Sequence, residues 1–360
     1  MRVLFAAGDV GGARAIMPII DLARRQNLQT AVLCNGHLAS EGPKDWSWVS
    51  LTGTDPGAAD ALIDTAGPQV MIFATSVKDT AALTLARAAA RRGISTIHVL
   101  DSWTMYRQRL ANDGGPMLVP SIYAVIDEIA AQGAVADGIP RAIVRITGQP
   151  ALDNAGWRAT ADSAAQSSDG RVQLLFVSEP AAADHGSSAQ APFYRGYTEA
   201  TVLALLCAAL QPLADHVALK LLPHPRENPK DLEANWRAHK GALTGDVLPQ
   251  HGLGNGLARF DAVVGMGSIL LYQAWVLGKP VLSLQPGLRI ESLRQIGQRE
   301  GAVLVDQSAD AVERVQTWAA AVKPGQPVIP RPELALHARS AECILSLARD
   351  LAGHPAATRK

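Results

Sequence analysis

Cysteine is scarce. Three occur in 360 residues, Cys34, Cys207 and Cys343, each in an apolar setting and none in C-x-x-C spacing. That argues against a disulfide framework or a cysteine zinc site and fits a reducing, cytoplasmic setting. An excess of either charge is also missing: Lys+Arg and Asp+Glu are both 33, for a formal charge of +0. A zero balance argues against nucleic acid or an anionic membrane surface as the main partner, while leaving room for a local basic pocket around a phosphate. Long apolar runs are absent. The opening MRVLFAAGDVGG breaks at Gly8, too short for a signal core or a membrane span. Its glycines do not follow G-x-G-x-x-G, and the next strand ends at Val32-Leu33-Cys34 with no acid for a ribose, which discounts a nicotinamide cofactor. No internal repeat stands out beyond an alternation of strand and helix patterns.

That alternation fills the chain. Apolar residues make up 48%, and the length exceeds what one ordinary core organises, so two domains are expected. Continuous apolar runs of strand length predict buried parallel strands over Arg2–Ala7, Thr30–Cys34, Gln69–Ala74, Ser95–Leu100, Ser121–Ile126 and Ala142–Ile146. Helical spacing is read over Ala13–Arg25, Thr80–Arg92 and Asp127–Ala136. The small, polar, unpatterned Ala159–Gly170 reads as a linker. The alternation then restarts with strands at Val172–Val177, Val217–Leu222, Asp261–Val264, Val281–Leu284 and Ala302–Val305, and closes on an amphipathic helix at Glu333–Ala352. The expected division is 1–158, a linker 159–170, 171–335, and a C-terminal helix and tail over 336–360.

Four places carry chemistry. Val217–Leu222 stops at Pro223 and is followed by His224, Pro225, Arg226 and Glu227, a strand ending in a rigid turn with an imidazole, a guanidinium and a carboxylate. In open α/β sheets the ligand crevice lies outside the carboxyl ends of the strands. Gly8-Asp9-Val10-Gly11-Gly12 forms a strand–loop–helix unit in which backbone N–H groups face an anion, with a plain tight turn as the alternative. Asp101 ends the strand Ser95–Leu100. Gly265-Met266-Gly267-Ser268 opens a helix before Gly278-Lys279-Pro280. Thr75 and Ser76 read as caps of the next helix, and His98 as a satisfied core histidine. Ser178 and Glu179 head a long loop, Ser178–Tyr197, that serves either as a donor contact or as a solvated lid.

Three stretches resemble a family. IVRITGQPALD (Ile143–Asp153) resembles the segment closing the first domain of non-hydrolysing UDP-N-acetylglucosamine 2-epimerases and related transferases. DAVVGMGSILLYQAWVLGKPVLSLQP (Asp261–Pro286) resembles their nucleotide-binding unit, and KLLPHPRENP the His-Pro motif of polysialyltransferase-like proteins. The resemblance covers most of the chain. It implies the α/β GT-B architecture: two Rossmann-like domains facing each other across a cleft, with the C-terminal helix packing back. It also implies a nucleotide-sugar substrate, UDP- or CMP-linked, and an acceptor, without a cofactor; a homodimer is left open.

Residue by residue, the resemblance implies that Gly267 and Ser268 hold the donor phosphates. His224 then stabilises the leaving group with Arg226 assisting, and Glu227, Ser178, Glu179, Gly11 and Gly12 lie on the donor side. Asp101, in HVLDSW, falls where the epimerases carry an acid and ranks first as general base, with Asp9 second. Two departures weaken the epimerase reading. The late helix holds Tyr272 and Gln273 where a Glu pair is expected, so that Gln273 faces the ribose, and Val77-Lys78-Asp79-Thr80 stands for Gly-Asp-Thr. No Asp-x-Asp is present for a metal-clamped diphosphate. The expected activity is glycosyl transfer without a metal. The alternatives are 2-epimerisation through Asp79 and Asp101, or a relative that binds without catalysis.

Overall fold

Two parallel sheets organise the chain, one in each of two compact units: Met1–Asn154 with Glu333–Lys360, and Ala155–Pro332. The structure, a computed structural model, describes residues 1–52, 56–77, 79–111, 115–152, 170–250, 253 and 256–353. Nearly all of the expected linker, Lys78, and the tail beyond Gly353 lie outside the described residues.

The first unit runs β1 (Arg2–Ala6), α1 (Val10–Arg25), β2 (Gln29–Leu33), α2 (Gly36–Glu41), β3 (Trp48–Val49), α3 (Pro56–Ala66), β4 (Val70–Phe73), α4 (Thr80–Arg91), β5 (Ser95–Val99), β6 (Ile122–Val125), α5 (Glu128–Ala136) and β7 (Val144–Ile146). Its strands lie in the order β3-β2-β1-β4-β5-β6-β7, all parallel. Helices cover both faces, so the central strands β4, β5 and β6 are buried at every residue, and this is why they read as unbroken apolar runs. The strand order reverses between β1 and β4, which places a crevice at their carboxyl ends.

The second unit contains β8 (Val172–Val177), α6 (Ala181–His185), α7 (Glu199–Leu210), β9 (Val217–Leu222), α8 (Pro229–His239), β10 (Thr244–Val247), β11 (Ala262–Gly265), α9 (Ile269–Val276), β12 (Val281–Leu284), β13 (Ala302–Val305) and α10 (Ala311–Ala321). The order β10-β9-β8-β11-β12-β13 is again parallel and reverses between β8 and β11. Leu174, Phe176, Leu219, Leu221 and Val264 of the sheet meet Leu203, Leu206, Trp236, Val315 and Trp318 of the helices in one core.

The chain then returns to the first unit through α11 (Glu333–His337) and α12 (Ser340–Gly353). α12 packs on α1, β4 and β5 and places Ile344, Leu345 and Ala348 in the first core. Packing back of the C-terminal helix is therefore a feature of the fold, although the single helix read from the sequence is two. The sequence reading also passes over α8 and α10. α8 shows the core only Leu232 and Trp236, too few to make a stripe. α10 does carry one, at Ala311, Val315, Trp318 and Ala319.

Candidate functional site

In the first unit the sequence places Asp9, Asp79 and Asp101 after β1, β4 and β5, and the parallel register brings those strand ends side by side. Asp9 is the N-cap of α1, its Oδ1 accepting from Gly12 N at 3.0 Å. Asp79 caps α4, its Oδ1 accepting from Ala82 N at 3.4 Å and from Asn35 Nδ2 at 3.4 Å. Asp101 Oδ2 lies against Gly11: a Cβ there would sit 2.0 Å from it. A Cβ on Gly8 would sit 2.9 Å from the Asp79 carboxyl, and one on Gly12 2.6 Å from Asp9 Oδ1. The glycines of the loop are thus the room that three carboxylates need. Gly11 and Gly12, read from the sequence as donor contacts, meet these side chains instead.

One cation holds the group together, and sequence reasoning gave it no role. Arg109 is 7% exposed; its Nη1 donates to Asp101 Oδ1 at 2.5 Å and to Thr75 O at 2.8 Å, its Nε to Thr104 O at 3.0 Å and its Nη2 to Ser102 Oγ at 2.6 Å. The chain turns back to bring it there through Met105, a non-glycine residue at φ +57°. Such a conformation has no signature in residue pattern. Burial pushes the Asp9 carboxyl up to about 6, the Asp101 charge adding to the rise and Arg109 opposing it. Burial also raises Asp79 above the usual carboxylate range.

Thr75 does not cap α4. It is buried, its Oγ1 donating to Arg109 O at 2.7 Å. That hydroxyl has one hydrogen, so at 3.1 Å it accepts from His98 Nε2, which leaves His98 Nδ1 as a bare acceptor. His98 is fully buried and stacked on Tyr123 at 4.8 Å, and burial holds it well below its ordinary pKa, so the ring is neutral. The core reading of this histidine is correct in place but only half satisfied, because Nδ1 has no partner.

In the second unit β8, β9 and β11 end at Ser178-Glu179, Pro223-His224 and Met266-Gly267. His224 Nδ1 accepts from Arg226 N at 3.1 Å. Held this way, the ring carries a proton on Nε2, as a donor. Glu227 braces this turn, its Oε2 accepting from His224 N at 2.7 Å and its Oε1 from Ser178 Oγ at 2.7 Å, while Gln250 Nε2 donates to its carbonyl at 2.6 Å. Ser178 is fully buried, so it orients Glu227 rather than reaching a donor. Arg226 forms a two-pronged pair with Asp184, both bonds 2.6 Å, which occupies the guanidinium face expected to assist His224.

Ser268 is the N-cap of α9, its Oγ accepting from Leu270 N at 3.3 Å. Gly267 N donates to Glu179 Oε2 at 2.6 Å. The anion position at the head of α9 is therefore filled by a carboxylate of the chain itself, which burial holds above the ordinary glutamate range. Arg195 lies beside it, Nη1 4.0 Å from Glu179 Oε1 and Nη2 2.8 Å from His185 Nε2, with its Nε unpartnered. Arg195 is the second cation that sequence reasoning missed, inside a loop of small residues with nothing to single it out. Gln273 lies half-buried on the second turn of α9. Among the described residues no group of three His, Cys, Asp or Glu is placed to hold a metal ion, and no helix is long and apolar enough to cross a membrane.

No family model and no curated protein sequence matches the chain. Solved structures do. The UDP-GlcNAc 2-epimerase of Neisseria meningitidis bound to UDP-GlcNAc aligns with a TM-score of 0.61 at 13% identity, over 97% of this chain and 100% of that one. MurG of Acinetobacter baumannii aligns with a TM-score of 0.61 at 12% identity, over 97% and 99%. Anabaena HepE in complex with UDP and glucose gives 0.57 at 13% identity, over 98% and 100%. The chain therefore has the fold of these proteins, two Rossmann-like α/β domains of the GT-B class, as the sequence resemblance implied.

Proposed function

We propose that the chain is a nucleotide-sugar enzyme that transfers a sugar to an acceptor hydroxyl, with the second unit holding the donor and the first unit supplying the base. UDP is the donor nucleotide we favour, because the similar structures include complexes with UDP and UDP-GlcNAc. In this reading the diphosphate lies at the head of α9, against Gly267 N–H and Ser268, with Arg195 as its cation and Glu179 displaced. His224 Nε2–H donates to the leaving phosphate oxygen as the bond from that oxygen to the sugar carbon breaks. The acceptor oxygen forms the new bond to that carbon and gives its proton to a carboxylate.

That carboxylate is Asp9, and the observation that carries the proposal is its place at the end of β1, on the glycine loop with Asp79, Asp101 and Arg109 around it. A general base works best with a pKa near the working pH, and Asp9 is the carboxyl that burial and a neighbouring charge push up to about 6. Asp101, ranked first on sequence, has Oδ1 paired with the Arg109 guanidinium, whereas Asp9 Oδ1 accepts only a backbone N–H, so in this reading Asp101 acts on Asp9 through its charge. His224→Ala should abolish transfer while leaving UDP binding within a few-fold. Transfer at the wild-type rate by that variant would sink the assignment.

A second reading, 2-epimerisation, is supported by the number of epimerases among the similar structures and by Asp79 beside Asp101. It differs in its chemistry at sugar C2, where a proton is removed and returned. Turnover in heavy water separates the two: deuterium at C2 of recovered sugar selects epimerisation, and its absence selects transfer.

A further inference from the structure

We propose that the first unit recognises its sugar by hydrogen-bond donors, taking a neutral or amine-bearing polyol and rejecting a carboxylated or phosphorylated one. This rests on the reading that a sugar binds there, and extends it to the class of sugar.

Charge comes first. Three carboxylates, Asp9, Asp79 and Asp101, gather on one glycine loop, and the charges of Asp101 and Asp79 act on Asp9 against that of Arg109. Arg109 offers little to an incoming anion, because four of its five N–H bonds, one at Nε, two at Nη1 and one at Nη2, already end on Thr104, Thr75, Asp101 and Ser102. At the head of α1, Gly12 N is taken by Asp9. Among the described residues an anionic sugar would meet three carboxylates against one guanidinium that is already bonded to Asp101.

The second observation is independent of the aspartates. Gln149 is 2% exposed, and its Nε2 faces the carbonyls of Asp101 at 3.3 Å and Leu100 at 3.5 Å. That fixes which end of the amide is which and leaves Oε1 buried beside the Asp101 loop with no partner. Asp79 Oδ2 is likewise buried without a hydrogen bond of normal geometry, and so is His98 Nδ1, whose tautomer is set by Thr75. These three unmatched atoms, among the described residues, are all acceptors. Buried polar atoms in native proteins find partners, and what these lack is a donor: a hydroxyl or an ammonium.

The test uses the full chain near neutral pH, with glucosamine, N-acetylglucosamine, glucuronic acid and glucose 6-phosphate titrated separately and followed by ligand-observed NMR. Glucosamine should bind at least as tightly as N-acetylglucosamine, and the two acids roughly tenfold or more weaker. Asp79→Asn keeps a capping side chain on α4 and removes one charge. It should weaken the neutral sugar by about a few-fold, because an amide NH2 replaces an acceptor oxygen, and weaken the acids less or not at all, so that the gap between acid and neutral sugar narrows severalfold. Equal or tighter binding of either acid, no binding by any of the four, or an unchanged gap in Asp79→Asn would each overturn the proposal. A thermal shift with UDP on the same protein reads the second unit separately. Its failure sinks the nucleotide reading and leaves the sugar ranking standing.

Discussion

Asp101 Oδ2 lies 2.0 Å from the point that a Cβ on Gly11 would occupy. The carboxylate has no room to yield, because its other oxygen is held by Arg109 and both side chains are about nine-tenths buried.

Gly11→Ala should therefore misplace Asp101. An alanine inside α1 would otherwise gain close to 1 kcal/mol in helix propensity. Here the clash should give a net loss of about 1–3 kcal/mol and cut kcat by on the order of 10²-fold, as small displacements of reacting groups do. Gly267→Ala is the control. Its Cβ would approach the Glu179 carboxylate no closer than 3.9 Å, so the fold should hold. Equal Tm values for wild type and Gly11→Ala would show that the loop can open.

Asp9→Asn separates base from cap. Asparagine caps a helix about as well as aspartate, so Tm should change little while kcat falls by about 10²–10⁴-fold, the usual contribution of a general base. In the wild type, kcat/KM should rise with pH through the Asp9 value of about 6, because the protonated carboxyl accepts nothing. The variant should lose that limb of the profile. A limb that persists would assign the base to another group.

Stability should run the other way with pH. Asp9, Asp79, Glu179 and Glu227 are all raised, burial being the first cause in each. The folded form then keeps protons that the unfolded form releases, and the stability this gives is complete below the unfolded carboxyl value of about 4. It is lost as pH rises through the folded values, that of Asp9 being about 6. Tm should fall between those limits and the double variant Asp9→Asn/Asp79→Asn should flatten the slope. Tm rising over the same interval would contradict the sign.

Glu179 and a donor phosphate compete for one N–H. UDP should bind more tightly as pH falls towards the raised Glu179 value, since the neutral carboxyl neither repels the phosphate nor holds Gly267 as strongly. UDP has a phosphate titration of its own, so the informative quantity is the difference between wild type and Glu179→Gln. The variant should bind UDP more tightly than the wild type above neutral pH, with the two converging in acid. Parallel curves would mean that Glu179 stays in place when UDP binds.

Much of the fold was legible because central parallel strands, buried on both faces, read as apolar runs; β8, β9, β12 and β13 fall where the sequence puts them. Edges gave weaker signals: β3 has two residues and β10 is mostly exposed, yet they fall inside Trp46–Leu51 and Ala242–Leu248, stretches that read as candidate strands. At the sites, turns next to strands were visible, among them His224, Gly267 and the Gly8–Gly12 loop. What could not be read is the pairing of distant residues. Glu179 and Gly267 are separated by 88 positions, and Arg109 reaches Asp101 through the positive-φ turn at Met105. Side-chain type located the strand ends; what each side chain does there is set by neighbours that sequence order does not supply.

The return of the chain through α11 and α12 has a consequence for the order in which the protein is made. Ile344, Leu345 and Ala348 belong to the core that β1 begins, and Gln149 N donates at 3.0 Å to Nδ1 of His337, a buried residue of α11. The first unit cannot finish its core until the second has been synthesised. A domain usually folds as soon as it leaves the ribosome; here the stretch between the two parts can close on itself first, and the N-terminal strands must wait for the last helix. A stop codon ahead of Ser340 should therefore leave the second unit folded and the first aggregation-prone, although every strand of both sheets would be present.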